Sequence, residues 1–292
     1  LILKVSQLEH MNSQITNWLS ENGFGIVIGK EPVFGGCIND SSRLIMDSGK
    51  SFFLKFNKQA PADMFTAESQ GLYALSQRKA LKTPTVIYTG QDFILLEDLG
   101  DGKPNRSYWK TLGEGLANLH DQSFTKFGFL SDNYCGATLQ KNTATSNGFE
   151  FFSDYRILNL TSKAFNINLL ERKDLKKLEY IAANLYRWIP DQKPVLIHGD
   201  LWRGNVHCDR NGNPALVDPA VYWGWAEADL AMTKLFGGFD QQFYESYESC
   251  SNIDNDWQKR APIYNLYHLL NHLILFGSSY LLQIRTNIKK FL

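Results

Sequence analysis

Eight residues, His198-Gly-Asp-Leu-Trp-Arg-Gly-Asn205, constrain this chain more than any other stretch. The apolar run Val195-Leu-Ile197 leads into them, and a second run, Ala215-Leu-Val217, ends at Asp218. Short apolar runs bounded by turn residues have the character of buried strands, and Asp209-Arg-Asn-Gly212 supplies a turn between these two. The pattern therefore brings Asp200, Asn205 and Asp218 to two adjacent strand ends. Asp and Asn beside Gly most often serve only to stabilise a turn. Three such groups converging on strand ends ask for a chemical explanation.

Phosphoryl transfer provides one. It needs a carboxylate to accept a hydroxyl proton, and oxygen ligands that hold Mg2+ against nucleotide phosphates. Asp200 suits the first task, and Asn205 and Asp218 suit the second. Asn205 follows Asp200 by five residues, the spacing of a protein-kinase catalytic loop, and Asp218 stands where such kinases place their metal-binding Asp. His198 is expected to be a hydrogen-bonding residue of the loop, not a proton shuttle.

The upstream half alternates with period two. Ile26-Val-Ile28, Ser42-Arg-Leu-Ile-Met46 and Ser51-Phe-Phe-Leu-Lys-Phe56 have strand composition, after a short amphipathic helix over residues 12–22. Residues 62–77 then put Phe65, Glu68, Leu72 and Leu75 near one helical face. The first three of these segments form an antiparallel meander, and Val86-Ile-Tyr88 and Phe93-Ile-Leu-Leu-Glu97 are expected to be two more strands. Lys55 on a strand and Glu68 on the next helix stand in the order of the kinase pair that positions the α- and β-phosphates. Gly35, Gly36 and Cys37 fall between the first two strands, where a loop must approach phosphates with little side-chain obstruction. Adenine is expected to contact backbone from Glu97 to Leu99. No G-x-x-x-x-G-K-[S/T] or strand-linked G-x-G-x-x-G sequence occurs, which disfavours a P-loop or dinucleotide fold.

Beyond Gly100-Asp-Gly-Lys-Pro104, a hinge-like run, helical periodicity dominates. The expected class is α+β: a protein-kinase-like two-lobe fold. Residues 1–99 form a small nucleotide-binding lobe with an antiparallel sheet and a helix, and residues 100–292 a larger, mainly helical catalytic and substrate-binding lobe. Thirty basic and thirty acidic side chains cancel, so no global field gathers nucleic acid. The four cysteines form no zinc-type cluster, which suggests a reduced, cytoplasmic setting. The first ten residues lack the features of a secretory signal. The most apolar stretch, residues 263–284, is broken by Asn265, His268, Asn271 and His272, so a buried helix is expected there and not a membrane span.

At this level of detail the chain resembles the fructosamine kinase family, relatives of aminoglycoside phosphotransferases and choline kinases. The matching stretches include Gly35-Gly-Cys-Ile-Asn39, Phe53-Leu-Lys55, Phe127-Gly-Phe129, Asp132-Asn-Tyr-Cys-Gly136, His198-Gly-Asp-Leu-Trp202, Trp223-Gly224, Asp229-Leu-Ala231 and Phe236-Gly-Gly238. The resemblance implies ATP- and Mg2+-dependent phosphorylation of the 3-hydroxyl of a ketosamine, a ribulosamine or fructosamine adduct on an amine or a protein. The phosphorylated adduct then eliminates and frees the amine. Asp200 would activate the sugar hydroxyl, Asn205 and Asp218 would hold Mg2+, Lys55 would grip phosphate and Glu68 would orient Lys55.

Trp202 and Trp223 are candidate walls of the sugar site, against core packing as the competing explanation. The resemblance alone adds Asn133 and Tyr134. Arg203 departs from the family, which has a small residue there; it either assists the transferring phosphate or faces solvent. Backbone amides around Cys37 can lower a thiol pKa, so Cys37 is either a redox-sensitive site on an otherwise monomeric protein, able to form an intermolecular disulfide, or an inert loop residue. An aminoglycoside or choline-type acceptor, and a non-catalytic kinase-like binding module, are the other readings. Retention of Lys55, Glu68, Asp200, Asn205 and Asp218 argues against the last.

Overall fold

The structure, a computed structural model, describes residues 13–33 and 39–292. The chain opens with helix α1 (Ser13–Glu21) and five strands: β1 (Val27–Pro32), β2 (Asp40–Met46), β3 (Ser51–Phe56), β4 (Val86–Thr89) and β5 (Phe93–Glu97). These pair antiparallel in the order β1-β2-β3-β5-β4. Helix α2 (Met64–Gln77) lies between β3 and β4 in sequence.

Alternation along β3 decides what each face of the sheet carries. Phe52 and Leu54 pack with Ile15 and Leu19 of α1. The residues between them turn the other way, where Phe53 meets Phe65 and Leu72 of α2. Lys55 belongs to this second face and is delivered to α2. On α2 the three- and four-residue steps that bury Phe65 and Leu72 also aim Glu68 at the sheet. The ion pair thus follows from two periodicities meeting.

The rest of the chain is mainly helical, and one apolar core runs through it. Helix α3 (Tyr108–His120) is followed by α4 (Gly148–Phe151), which runs through a π-helical stretch, Phe152–Leu158, into α5 (Asn159–Asn166). Next come α6 (Arg172–Ala183), α7 (Ala226–Leu235), α8 (Gln241–Cys250), α9 (Trp257–Phe276) and α10 (Leu281–Ile288). The polar residues that interrupt α9 have specific work: Asn265 donates to the Ala231 carbonyl at 2.9 Å and Asn271 to that of Cys135 at 3.1 Å. No helix among the described residues is long and apolar enough to cross a membrane.

Six short strands punctuate this region. They are β6 (Asn133–Cys135), β7 (Thr138–Gln140), β8 (Val195–Ile197), β9 (Val206–Cys208), β10 (Pro214–Leu216) and β11 (Tyr222–Gly224). The two apolar runs seen in the sequence do not pair with each other. Instead β8 pairs with β11, and β10 with β9. The reason is local: Asp209 Oδ1 accepts the N–H groups of Asn211 and Asn213, both at 2.9 Å, and closes a tight turn that returns β10 onto β9. A short loop costs less closure entropy than a distant pairing.

Candidate active site

The loop after β8 is held from behind by a buried carboxylate. Asp229, on α7, accepts the backbone N–H of His198 at 2.7 Å and of Gly199 at 2.9 Å. His120 Nε2 lies 3.3 Å from the same carboxylate, and His120 Nδ1 is 2.8 Å from the Tyr247 hydroxyl. Burial opposes the Asp229 charge, but these hydrogen bonds and the nearby imidazoles overcome it and lower its pKa. Gly199 has φ +82°, and a Cβ there would stand 2.0 Å from the Ala220 carbonyl oxygen, so only glycine fits. His198 has its Nε2 at 3.0 Å from the Val217 carbonyl, so Nε2 carries the proton, while Nδ1 accepts from the Asp200 N–H at 3.3 Å. Burial holds this imidazole below its ordinary pKa. It braces the loop in the neutral form.

Asn205 ties the three acidic-loop residues together. Its Nδ2 donates to the Asp200 carbonyl at 2.8 Å, to Asp200 Oδ2 at 3.1 Å and to the Asp218 carbonyl at 3.4 Å. Burial pushes Asp200 up to about 7; the Asn205 hydrogen bond opposes this and the charges of Asp218 and Asp229 add to it. A carboxylate so poised suits a general base working near neutral pH. Asp218 adopts φ +54°, a left-handed conformation uncommon outside glycine and tolerated best by Asn and Asp.

Lys55 Nζ lies 2.6 Å from Glu68 Oε1 and also meets Asp218 Oδ1. Burial works against the ammonium, but Asp218 and Glu68 together raise its pKa, so Lys55 is charged. Gly71, one turn along α2 from Glu68, lets the helix approach the next segment closely. A Cβ there would be 2.6 Å from Val221 Cγ2 and 3.5 Å from Pro219.

These groups face one cleft of about 880 Å³ between the sheet and the helical part. Gly35, Gly36 and Cys37 lie outside the described residues; their neighbours Val33 and Asn39 line the cleft. Glu97, Asp98 and Leu99 line its inner edge. The Glu97 carboxylate is engaged by Thr85 and by Lys82, so the segment offers a ligand mainly its backbone. Sequence reading did not anticipate how firmly this linker is pinned. Arg43 pairs with Asp98 at 2.8 Å and Asp101 at 2.8 Å. Arg210 donates to the carbonyls of Asp98, through its side chain, and of Leu99, through its N–H.

The outer end of the cleft is aromatic. Trp202 is 36% exposed and meets Phe236 edge to face with centroids 6.2 Å apart. His272 sits 4.9 Å from Phe236, 5.3 Å from Phe276 and 5.1 Å from Tyr280, and all four rings line the cleft. Only Trp202 among them was a candidate site residue in the sequence; Phe236 fell in a stretch resembling the family and His272 stood as a polar break in a buried helix. The signal of His272, Phe276 and Tyr280 was an aromatic cluster around the end of α9, which helical periodicity reads as ordinary core.

Trp223 is placed elsewhere. It is not among the residues that line the cleft; it stacks on Phe124 at 4.3 Å, under the Arg78 guanidinium. Packing accounts for it. Asn133 and Tyr134 do line the cleft. The Asn133 amide is committed, donating to the Val221 carbonyl at 2.7 Å and accepting from Gln140 and Asn142. The Tyr134 hydroxyl donates to Asp63 at 2.6 Å. Arg203 is exposed and its guanidinium lies 5.6 Å from the Trp109 ring centroid, outside the cleft lining.

Fold and cleft together are those of a phosphotransferase of the protein-kinase-like class. The same fold is found in a choline kinase from Streptococcus pneumoniae, with a TM-score of 0.64 at 14% identity over 96% of this chain and 98% of that one. More specifically, the fructosamine kinase family model matches residues 10–292, and the chain belongs to that family. It is similar to a probable ketoamine kinase of Synechocystis, 36% identical over 272 residues and 90% of each chain. It is also 35% identical to a chloroplastic protein-ribulosamine 3-kinase of Arabidopsis thaliana, over 91% of this chain and 83% of that one. A Thermobifida fusca crystal structure described as a fructosamine-3-kinase superposes with a TM-score of 0.87 at 27% identity, covering 96% and 99% of the two chains. The protein is thus an ATP-dependent kinase that phosphorylates a hydroxyl group.

Proposed function

We propose that this kinase phosphorylates the 3-hydroxyl of a ketosamine, a ribulosamine or fructosamine adduct on a small amine or a protein, in deglycation repair. The observation that carries the reading is the juxtaposition of Asp200 with Trp202 and the aromatic end of the cleft, opposite Lys55. The names of the related ketoamine and ribulosamine kinases support it.

In this reading residues 1–99 hold the nucleotide, with adenine along Glu97 to Leu99 and the phosphates under the Gly35-Gly36-Cys37 loop. Lys55, kept charged by Glu68, binds phosphate oxygens and exchanges Asp218 for them as ATP enters. Residues 100–292 supply the acceptor site. Asp200 takes the proton of the sugar hydroxyl as the oxygen attacks the γ-phosphorus and ADP leaves; Asn205 fixes its carboxylate, and the Asp229 clamp fixes the two residues before it. Trp202 covers the apolar side of the sugar chain.

The donor set fits a hard cation. The Asn205 Nδ2 is spent on the loop, which leaves Oδ1, and Asp218 offers a half-exposed carboxylate, so both present oxygen to the cleft. Asn205 and Asp218 would hold Mg2+, and the bound ion offsets the negative charge on the transferring phosphate oxygens. A reduced compartment such as the cytoplasm belongs to the same reading, supported by Cys135, Cys208 and Cys250 as free thiols.

The test is an ADP-release assay with Mg2+, ATP and a ribulosamine or fructosamine acceptor, with NMR to locate the phosphate. Phosphate on C3 is the expected result. Folded protein that binds ATP and phosphorylates choline or an aminoglycoside but no ketosamine would overturn the substrate assignment.

A further inference from the structure

Behind the proposed base lie two buried groups that phosphoryl transfer does not use. Cys135 ends β6, His268 lies in the middle of α9, and both are buried, with exposures of 2% and 4%. The Cys135 sulfur, an Asp200 carboxylate oxygen and a His268 ring nitrogen all lie within 4.8 Å of one another. Asp200 turns its two oxygens to different neighbours: Oδ2 to Asn205, and Oδ1 to His268 Nδ1 at 3.7 Å. Among the described residues, His268 Nδ1 is buried without a hydrogen-bond partner, and so is Asn271 Oδ1 one turn further along α9. Buried polar atoms left without partners are costly, and an unpartnered imidazole nitrogen that faces both a carboxylate and a thiol points to a missing ligand.

We propose that Cys135, Asp200 and His268 form a binding site for a thiophilic divalent cation of the zinc class, and that a cation seated there withdraws Asp200 from its role as base. Sulfur, imidazole nitrogen and a carboxylate oxygen are the donors of tetrahedral zinc sites, with bonds of about 2.0–2.3 Å. Such bonds put a nitrogen and an oxygen ligand roughly 3.3–3.5 Å apart and pairs with sulfur slightly further, so the 3.7 Å pair and the others need only a small contraction. Mg2+ prefers an all-oxygen shell and is disfavoured here. Cys135, Asp200 and Asn271 line the cleft, which gives the ion an entry path, and Asn271 Oδ1 or a solvent molecule completes four ligands. Binding replaces the thiol S–H bond by an S–metal bond and releases the proton to solvent. Thiolate and carboxylate then balance the two charges of the ion.

The inhibitory half of this proposal rests on the reading of Asp200 given above; the binding half does not. The test uses Co2+ as a spectroscopic probe, added to the whole chain in excess Mg2+. A thiolate-to-cobalt charge-transfer band reaching its limit at one equivalent, with the d–d bands of a four-coordinate ion, is expected, and Zn2+ displaces it. Cys135→Ala abolishes the charge-transfer band, and His268→Gln weakens Co2+ binding at least about tenfold. Absence of the band, or a band that survives Cys135→Ala, overturns the site. Should Cys135→Ala fail to fold, unaltered Co2+ affinity in His268→Gln overturns it equally. Turnover with ATP should fall as Zn2+ fills the site. Full turnover with the site filled overturns the inhibitory half. Because the cobalt spectrum needs no substrate, a failure of the ketosamine assignment leaves this result standing.

Discussion

The two ends of the cleft are built on different principles. At the inner end Lys55, Glu68, Asp218, Asp200 and Asn205 are placed by backbone turns and by one another, and each charge has an opposing group or a hydrogen bond. At the outer end Trp202, Phe236, His272, Phe276 and Tyr280 meet only through ring faces and edges. The first arrangement fixes positions to within a hydrogen bond. The second provides a surface whose shape tolerates exchange. Under the proposed function, chemistry common to many kinases belongs to the rigid end and choice of acceptor to the adaptable one.

That contrast predicts how variants divide. Asp200→Asn should show the largest effect, a fall in kcat of roughly 10²–10⁴-fold with ATP binding retained, read by steady-state kinetics and nucleotide titration. A comparable loss of ATP affinity would show that the inner end does not separate base from nucleotide site. Trp202→Ala should raise KM for the ketosamine by roughly 2- to 10-fold, the value of one stacked ring, while leaving KM for ATP alone. A change in the ATP parameter instead would erase the distinction between the two ends.

The smallest effect concerns the linker. Burial works against the Asp98 charge, but Ser51, Arg43 and the Gly100 N–H more than offset it and lower its pKa below the ordinary Asp value. As pH falls, the unfolded chain therefore takes up the proton first. Stability contributed by Asp98 is present above the unfolded-state pKa and is lost as pH falls through the lower folded-state value. Between about pH 5 and about pH 3, the urea midpoint should drop less steeply in Asp98→Asn than in the unsubstituted protein. Equal slopes would mean that Arg43 and Ser51 do not favour the charged carboxylate.

The inner end was legible because its residues report through fixed spacing. Asp200 and Asn205 are five apart on one loop, and Lys55 and Glu68 obey the periods of a strand and a helix. Both lobes and the presence of the first five strands follow from the same periods, but the spatial order does not: β5 lies between β3 and β4, a crossover that alternation along single strands cannot report. The outer end was not legible, because Phe276 and Tyr280 join the ring cluster of Trp202, through His272 and Phe236, only after α9 has packed on α7. Trp223 shows the converse: as an aromatic face in a stretch resembling the family it was a candidate wall of the sugar site, whereas in the structure β11 pairs with β8 and the ring stacks on Phe124. The clamp residue Asp229 lay within a stretch resembling the family, but nothing in its spacing revealed that it reaches back to His198 and Gly199. Three-residue strands such as β6 and β9 are too short to register a period.

Helix α2 is attached at more than its charged end. Tyr134 reaches Asp63 just ahead of it, Ser131 donates to Gln70 at 2.9 Å, and Gly71 rests against Val221. An outward swing of α2 would have to break these attachments as well as the ion pair, so the Lys55 and Glu68 pairing is held in register by the larger part of the molecule and not by its own charges alone.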